Sequence, residues 1–89
     1  MAVLSEKEIE DYKVRIFLGD RTYMEAKINY KCKNFPAAIS NIKEALAYYK
    51  EALEIVIEKS EIGTQTAQNG INNCNGLLEI IKGQRFKDR

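Results

Sequence analysis

The sequence predicts an all-α protein built on an antiparallel helical hairpin closed at Asn34–Pro36, and three observations predict it. Thirteen positions follow one unbroken three-then-four spacing: Ile39, Ile42, Leu46, Tyr49, Leu53, Val56, Ser60, Gly63, Ala67, Gly70, Cys74, Leu77 and Ile81. Apolar residues recurring every 3.5 positions on average make the seam of one helix laid along another. The only proline, Pro36, interrupts the chain between two such stretches, and a short turn there makes the flanking helices antiparallel. A helix start is written at Ser5-Glu6-Lys7-Glu8, a capping box in which the Ser5 hydroxyl and the Glu8 carboxylate each accept the other residue's backbone amide.

The first helix is expected over residues 5–33. Leu4 and Ile9 bracket the capping box as a hydrophobic staple. Ile9, Tyr12, Ile16, Gly19, Tyr23, Ala26 and Tyr30 then repeat the cadence. Val14, Phe17, Met24 and Ile28 flank that seam and are expected to widen its apolar face, as in a bundle rather than a bare two-stranded coil. Gly19-Asp20 is the weak point, because glycine costs about 1 kcal/mol relative to alanine in a helix interior. A kink or a close helix contact is expected there.

The turn falls at Lys33-Asn34-Phe35-Pro36. Proline pushes the residue before it out of the α region and suits the first turn of a new helix. The second helix is expected over 36–60, rich in the helix formers Ala, Leu, Glu and Lys. Beyond Ile62 the character changes: between Glu61 and Glu79 there is no Asp, Glu, Lys or Arg, and glycine, threonine and asparagine abound. Two structures fit this stretch. The second arm continues unbroken to Ile81, about 65 Å at ~1.5 Å per residue. Otherwise it turns at Gly63-Thr64 and folds back as a third helix over 64–82, giving a three-helix bundle. The uninterrupted cadence supports the first and residue propensity the second. An overhang would leave Leu77, Leu78, Ile80 and Ile81 wet unless a homodimer formed a four-helix bundle. The basic tail at 83–89 complements the macrodipole of a preceding helix end.

With 89 residues, 45% of them hydrophobic and 30% charged, the chain is expected to form a single ordered domain over 1–89. A net charge of +1 points to neither nucleic acid nor an anionic membrane surface as partner. No apolar run approaches the ~20 residues of a membrane span, and no basic-then-apolar leader opens the chain. The expected location is cytoplasmic, with export independent of a signal peptide left open.

Chemistry is sparsely written. The absence of histidine removes the commonest general base and metal ligand. There is no glycine-rich phosphate loop and no nucleophile beside a base. Glu51, Glu54 and Glu58 fall on the polar side of the second helix and read as a solvated face. Cys32 and Cys74 are too far apart along the hairpin for an internal disulfide and read as two buried thiols. No catalytic residue, metal site, cofactor or small-molecule substrate is expected, and the chain is read as non-enzymatic.

The remaining signal is surface. Tyr48, Ile55 and Ile57 lie off the main seam and suggest a second apolar face, covered by a third helix or by a partner. Gly63, Ala67 and Gly70 are small enough to allow close backbone approach, and Ile71 and Leu78 belong to the same uncharged stretch. These eight residues are the expected partner-binding face of a protein-protein interaction module or adaptor that docks a helix or peptide. The alternatives are a homodimeric structural bundle using the same face and a small helical partner of a secretion system.

Ala26, Asn34-Phe35, Ala38-Ile39 and Ala45-Leu46 resemble the small and aromatic positions of a single tetratricopeptide-type hairpin. The run from Asn34 through Leu53 is also similar to the centre of the microtubule-interacting-and-transport (MIT) domain. Lys33 stands where a glycine is usual in these hairpins. The MIT resemblance implies a three-helix bundle, a third helix over Thr64–Lys82, and peptide motifs bound in grooves between helices. In outline the chain also resembles the WXG100-type hairpins that partner type VII secretion, with Asn34-Phe35-Pro36 at the place of Trp-x-Gly.

Overall fold

A computed structural model describes residues 3–87. It is all-α: helix α1 spans Glu6–Lys31, α2 spans Phe35–Val56 and α3 spans Glu61–Lys87, forming a rod of 54 × 17 × 14 Å. Helix α2 runs antiparallel to both neighbours and packs against both, while α1 and α3 run parallel and touch little. The folded-back arrangement is therefore the one adopted. The expected tail residues Asp88 and Arg89 lie outside the described residues, and the rest of 83–89 up to Lys87 continues α3.

The start of α1 follows the sequence. Ser5 N donates to Glu8 Oε1 at 3.0 Å and Glu8 N donates to Ser5 Oγ at 3.1 Å. Lys59 Nζ, from the α2–α3 turn, lies 2.6 Å from Glu8 Oε2. That ammonium and the Ser5 amide hold the Glu8 carboxyl down at about 2. One surface group thus fixes both the first turn of α1 and the chain reversal above it.

Both reversals pass through the left-handed region without glycine. The α1 end is a Schellman motif: Lys33, at φ 61°, donates to Tyr30 O at 3.0 Å and Asn34 donates to Asn29 O at 2.9 Å. Asn34 then caps α2 by accepting the Ala37 amide, with Pro36 in the first turn. The second turn is Ile57–Ser60, with Glu58 at φ 67°, and Ser60 Oγ accepts the Gly63 amide at 3.0 Å to start α3. It comes earlier than the expected Gly63-Thr64 reversal. A β-carbon in the left-handed region costs ~1–2 kcal/mol, against ~0.5–1 kcal/mol for glycine's extra chain entropy. Lys33→Gly and Glu58→Gly are each expected to raise stability by about 0.5–1 kcal/mol. Urea unfolding followed by circular dichroism checks this: the midpoint rises with unchanged slope, and an unchanged or lower midpoint contradicts it.

The core runs along α2, where Ala38, Ile42, Ala45, Tyr49, Ala52 and Val56 are buried. Its alanines recur every seven residues and let α1 approach closely through Gly19 and Ala26, which are also buried. On α3 the buried row is Gly63, Ala67, Gly70, Cys74, Leu77 and Ile81, the spacing expected from sequence, with Ile71 beside it. The expectation of two buried thiols needs correction. Cys74 is fully buried, and burial pushes its thiol up to about 11, whereas Cys32 is exposed at the C-cap of α1. Among the described residues no helix is long and apolar enough to cross a membrane.

Candidate functional site: the groove between α1 and α3

One aromatic ring sets the spacing of the three helices. Tyr49 of α2 is 3% exposed and donates its hydroxyl to Asp20 Oδ1 of α1. Gly19 of α1 and Gly70 of α3 close on the same edge of the ring. A β-carbon at Gly19 would stand 2.8 Å from Tyr49 Cε1, and one at Gly70 would stand 2.6 Å from the same atom. Burial, followed by the hydrogen bond to Asp20, raises the Tyr49 hydroxyl well above the ordinary tyrosine value, so it stays a protonated donor. The close helix contact expected at Gly19 is found, and α1 continues through it.

The ring fills the space between the two outer helices below their surface, and above it a groove remains. Its wider part, about 560 Å³ and open along one side, is lined by Leu4, Ile9, Tyr12, Ile16 and Phe17 from the α1 side and by Val56, Ile62, Gly63 and Thr66 from the other. The Tyr12 hydroxyl donates to Gly63 O at 3.0 Å, a tie between α1 and α3 at the groove base. The groove continues past Asp20 and Thr66 into a narrower part bounded by Tyr23, Met24 and Lys27 on one side and Asn69, Gly70 and Asn73 on the other. Lys27 Nζ sits 5.6 Å from the centre of the Tyr23 ring. From Ile9 to Lys27 the groove extends ~27 Å, at ~1.5 Å of rise per residue.

Its walls differ in chemistry. The α1 wall carries Lys13, Asp20 and Lys27 between apolar side chains, whereas the α3 wall, Ile62, Thr66, Asn69 and Asn73, is uncharged. Phe17 and Ile62, which both line the wider part, are 63% and 82% exposed. Burial raises the Tyr12 and Tyr23 hydroxyls, which therefore enter as neutral hydrogen-bonding groups. No cluster of three or more His, Cys, Asp or Glu side chains exists among the described residues.

The eight residues expected to meet a partner do not form one surface. Gly63, Ala67, Gly70 and Ile71 are buried. Gly63 approaches Val56 and Gly70 approaches Tyr49, so their smallness serves packing within the chain. Tyr48 and Ile55 are half-buried on the strip of α2 that carries Asn41 and Glu51. Both of those residues bind α1, through Asn29 at 2.7 Å and Arg15 at 3.2 Å. Leu78 is half-buried against the core, and Ile57 is half exposed in the second turn. Val14, Phe17, Met24 and Ile28, expected from sequence to widen the apolar face of α1 beside its seam, are all more than half exposed. Their signal was present as a second three-four cadence beside the first, and Ile62, at the groove mouth, sits one residue before the conspicuous Gly63. Comparison of the chain with protein-family models, curated proteins and solved structures yields no match.

Proposed function

We propose that this protein is a non-catalytic adaptor that docks an amphipathic helix of a partner protein in the groove between α1 and α3. The observation that carries the reading is the groove whose wider part is lined mostly by apolar side chains and whose rim, at Phe17 and Ile62, is open to solvent, continuing into a narrower and more polar part. The apolar part, ~12 Å from Ile9 to Phe17 at ~1.5 Å per residue, matches the span of a helix presenting anchors at i, i+3, i+4 and i+7. Charge selects further: Lys13 and Lys27 on the α1 wall favour acidic residues on the matching edge of the occupant, and the uncharged α3 wall repels neither sign. The resemblance to MIT-type bundles implies the same kind of site and supports the reading.

The test uses peptides selected against the full chain from a library of amphipathic helices. Ile62 is expected to be an anchor contact worth ~1.5–3 kcal/mol on burial. Ile62→Asp should therefore weaken selected peptides at least tenfold, while Lys43→Glu, on an exposed position of α2 outside the groove, should leave affinity unchanged. Failure of any helical peptide to bind, or binding indifferent to Ile62→Asp, would refute the proposal.

A further inference from the structure

The outer face of α1 carries a second seam that no other helix covers among the described residues. Val14, Phe17, Met24 and Ile28 are 52%, 63%, 63% and 56% exposed, and no burial within the fold explains an apolar row of that length. With Glu10, Arg21 and Lys31 they complete a four-three-four spacing from end to end, on the side of α1 away from buried Gly19 and Ala26. All three charged positions are exposed.

We infer that this face is the interface between two copies of the chain, paired through antiparallel α1 helices about a two-fold axis near Arg21. The order of charges chooses both occupant and direction. The stripe begins on an acid, Glu10, and ends on a base, Lys31, and its apolar residues are placed nearly symmetrically about the middle. An antiparallel copy sets Glu10 against Lys31 at both ends and Val14 against Ile28 between them, so the surface complements itself as a two-fold interface requires. A parallel copy would oppose Glu10 to Glu10 and Lys31 to Lys31. Arg21, near the axis, carries its own counter-charge in Glu25, 3.9 Å away on the same helix. A contact of one helix per copy is smaller than the ~800 Å² per partner of a standard interface. The dimer therefore forms at micromolar or higher concentration. Phe17 and Met24 stand at the shared edge of this face and the groove, whereas Val14 and Ile28 belong to the outer face alone.

Sedimentation equilibrium of the full chain between about 5 and 500 μM tests the pairing. The expected result is a reversible monomer–dimer equilibrium that Ile28→Glu or Val14→Glu weakens at least tenfold, with helix content by circular dichroism unchanged. Glu10→Lys alone should weaken the dimer, and Glu10→Lys combined with Lys31→Glu should restore it. A chain that stays monomeric across the range overturns the inference and leaves the face to a different protein. So does a dimer indifferent to Ile28→Glu, or one that the paired charge exchange fails to restore. Peptide binding in the groove persists in Ile28→Glu, so failure here is distinguishable from failure of the docking proposal.

Discussion

Replacing Tyr49 by alanine is expected to remove about 3–5 kcal/mol of stability, the range for deleting a large buried aromatic. For a domain of ordinary stability, ~5–15 kcal/mol, that is a large share of the total. The ring is almost wholly enclosed and is the one side chain on which Gly19, Asp20 and Gly70 converge from two other helices. Its loss would not be felt equally by those helices. Helix α1 keeps the Arg15–Glu51 ion pair and the Asn29–Asn41 hydrogen bond to α2, whereas α3 loses the surface on which Gly70 rests. Hydrogen exchange should accordingly show the amides around Gly70 losing protection before those around Ala26. Tyr49→Phe should cost only about 0.5–1.5 kcal/mol, because the packing survives and exposed Asp20 regains water as its partner. Uniform loss of protection in Tyr49→Ala, or a phenylalanine variant as damaged as the alanine one, would count against the ring's role as spacer.

The second large effect is a change of sign between glycines of the same helix. In a helix interior, alanine is favoured over glycine by about 1 kcal/mol, so Gly→Ala ordinarily stabilises. Gly76 and Gly83 have open space where a β-carbon would go, and alanine at either should stabilise by about that amount. At Gly70 the same methyl meets Tyr49 at 2.6 Å, and the ring has no retreat because Gly19 of α1 closes on it too, so tightly that a β-carbon there would stand 2.8 Å from Tyr49 Cε1. Overpacking of this kind costs ~1–3 kcal/mol, which offsets the ~1 kcal/mol gain in propensity, so Gly70→Ala should be destabilising by a net of up to about 2 kcal/mol. Urea midpoints of the three alanine variants separate the outcomes. In a Tyr49→Leu background the penalty at Gly70 should disappear, since the atoms that cause it are gone. A Gly70→Ala variant as stable as Gly76→Ala would show that α3 does not rest against the ring.

Much of this architecture is legible in the residues. The Ser5–Glu8 box, the Asn34–Pro36 turn and the seam of α3 follow from local chemistry that tertiary structure leaves intact. The second turn is harder to read for a physical reason. Ile57–Ser60 takes about as many residues as one helical turn, so the three-four cadence crosses the reversal in phase and resembles one long helix. The residues there, Glu58 and Lys59, are helix formers, and the glycine that advertises a break, Gly63, is used for approach to Val56 instead. Glu58 adopts the left-handed region without the glycine that would have marked it.

The binding surface was legible only in part for a related reason. Small residues at Gly63, Ala67 and Gly70 look the same in sequence whether the approaching backbone belongs to a partner or to α2. On α1, two apolar rows on opposite sides of one helix read as a single broad face until the position of α2 is known. The half-burial of Tyr48 and Ile55 then follows, because their strip of α2 is the one that binds α1.

The central claim is that α3 folds back so that one tyrosine ring touches glycines on both outer helices. Nuclear Overhauser contacts between the Tyr49 ring protons and the α-protons of Gly19 and Gly70, measured on dilute monomeric chain, test it most directly. Strong contacts to both glycines are predicted. Contacts to Gly19 alone, with α2 helical through Ile57–Ser60, would contradict the account.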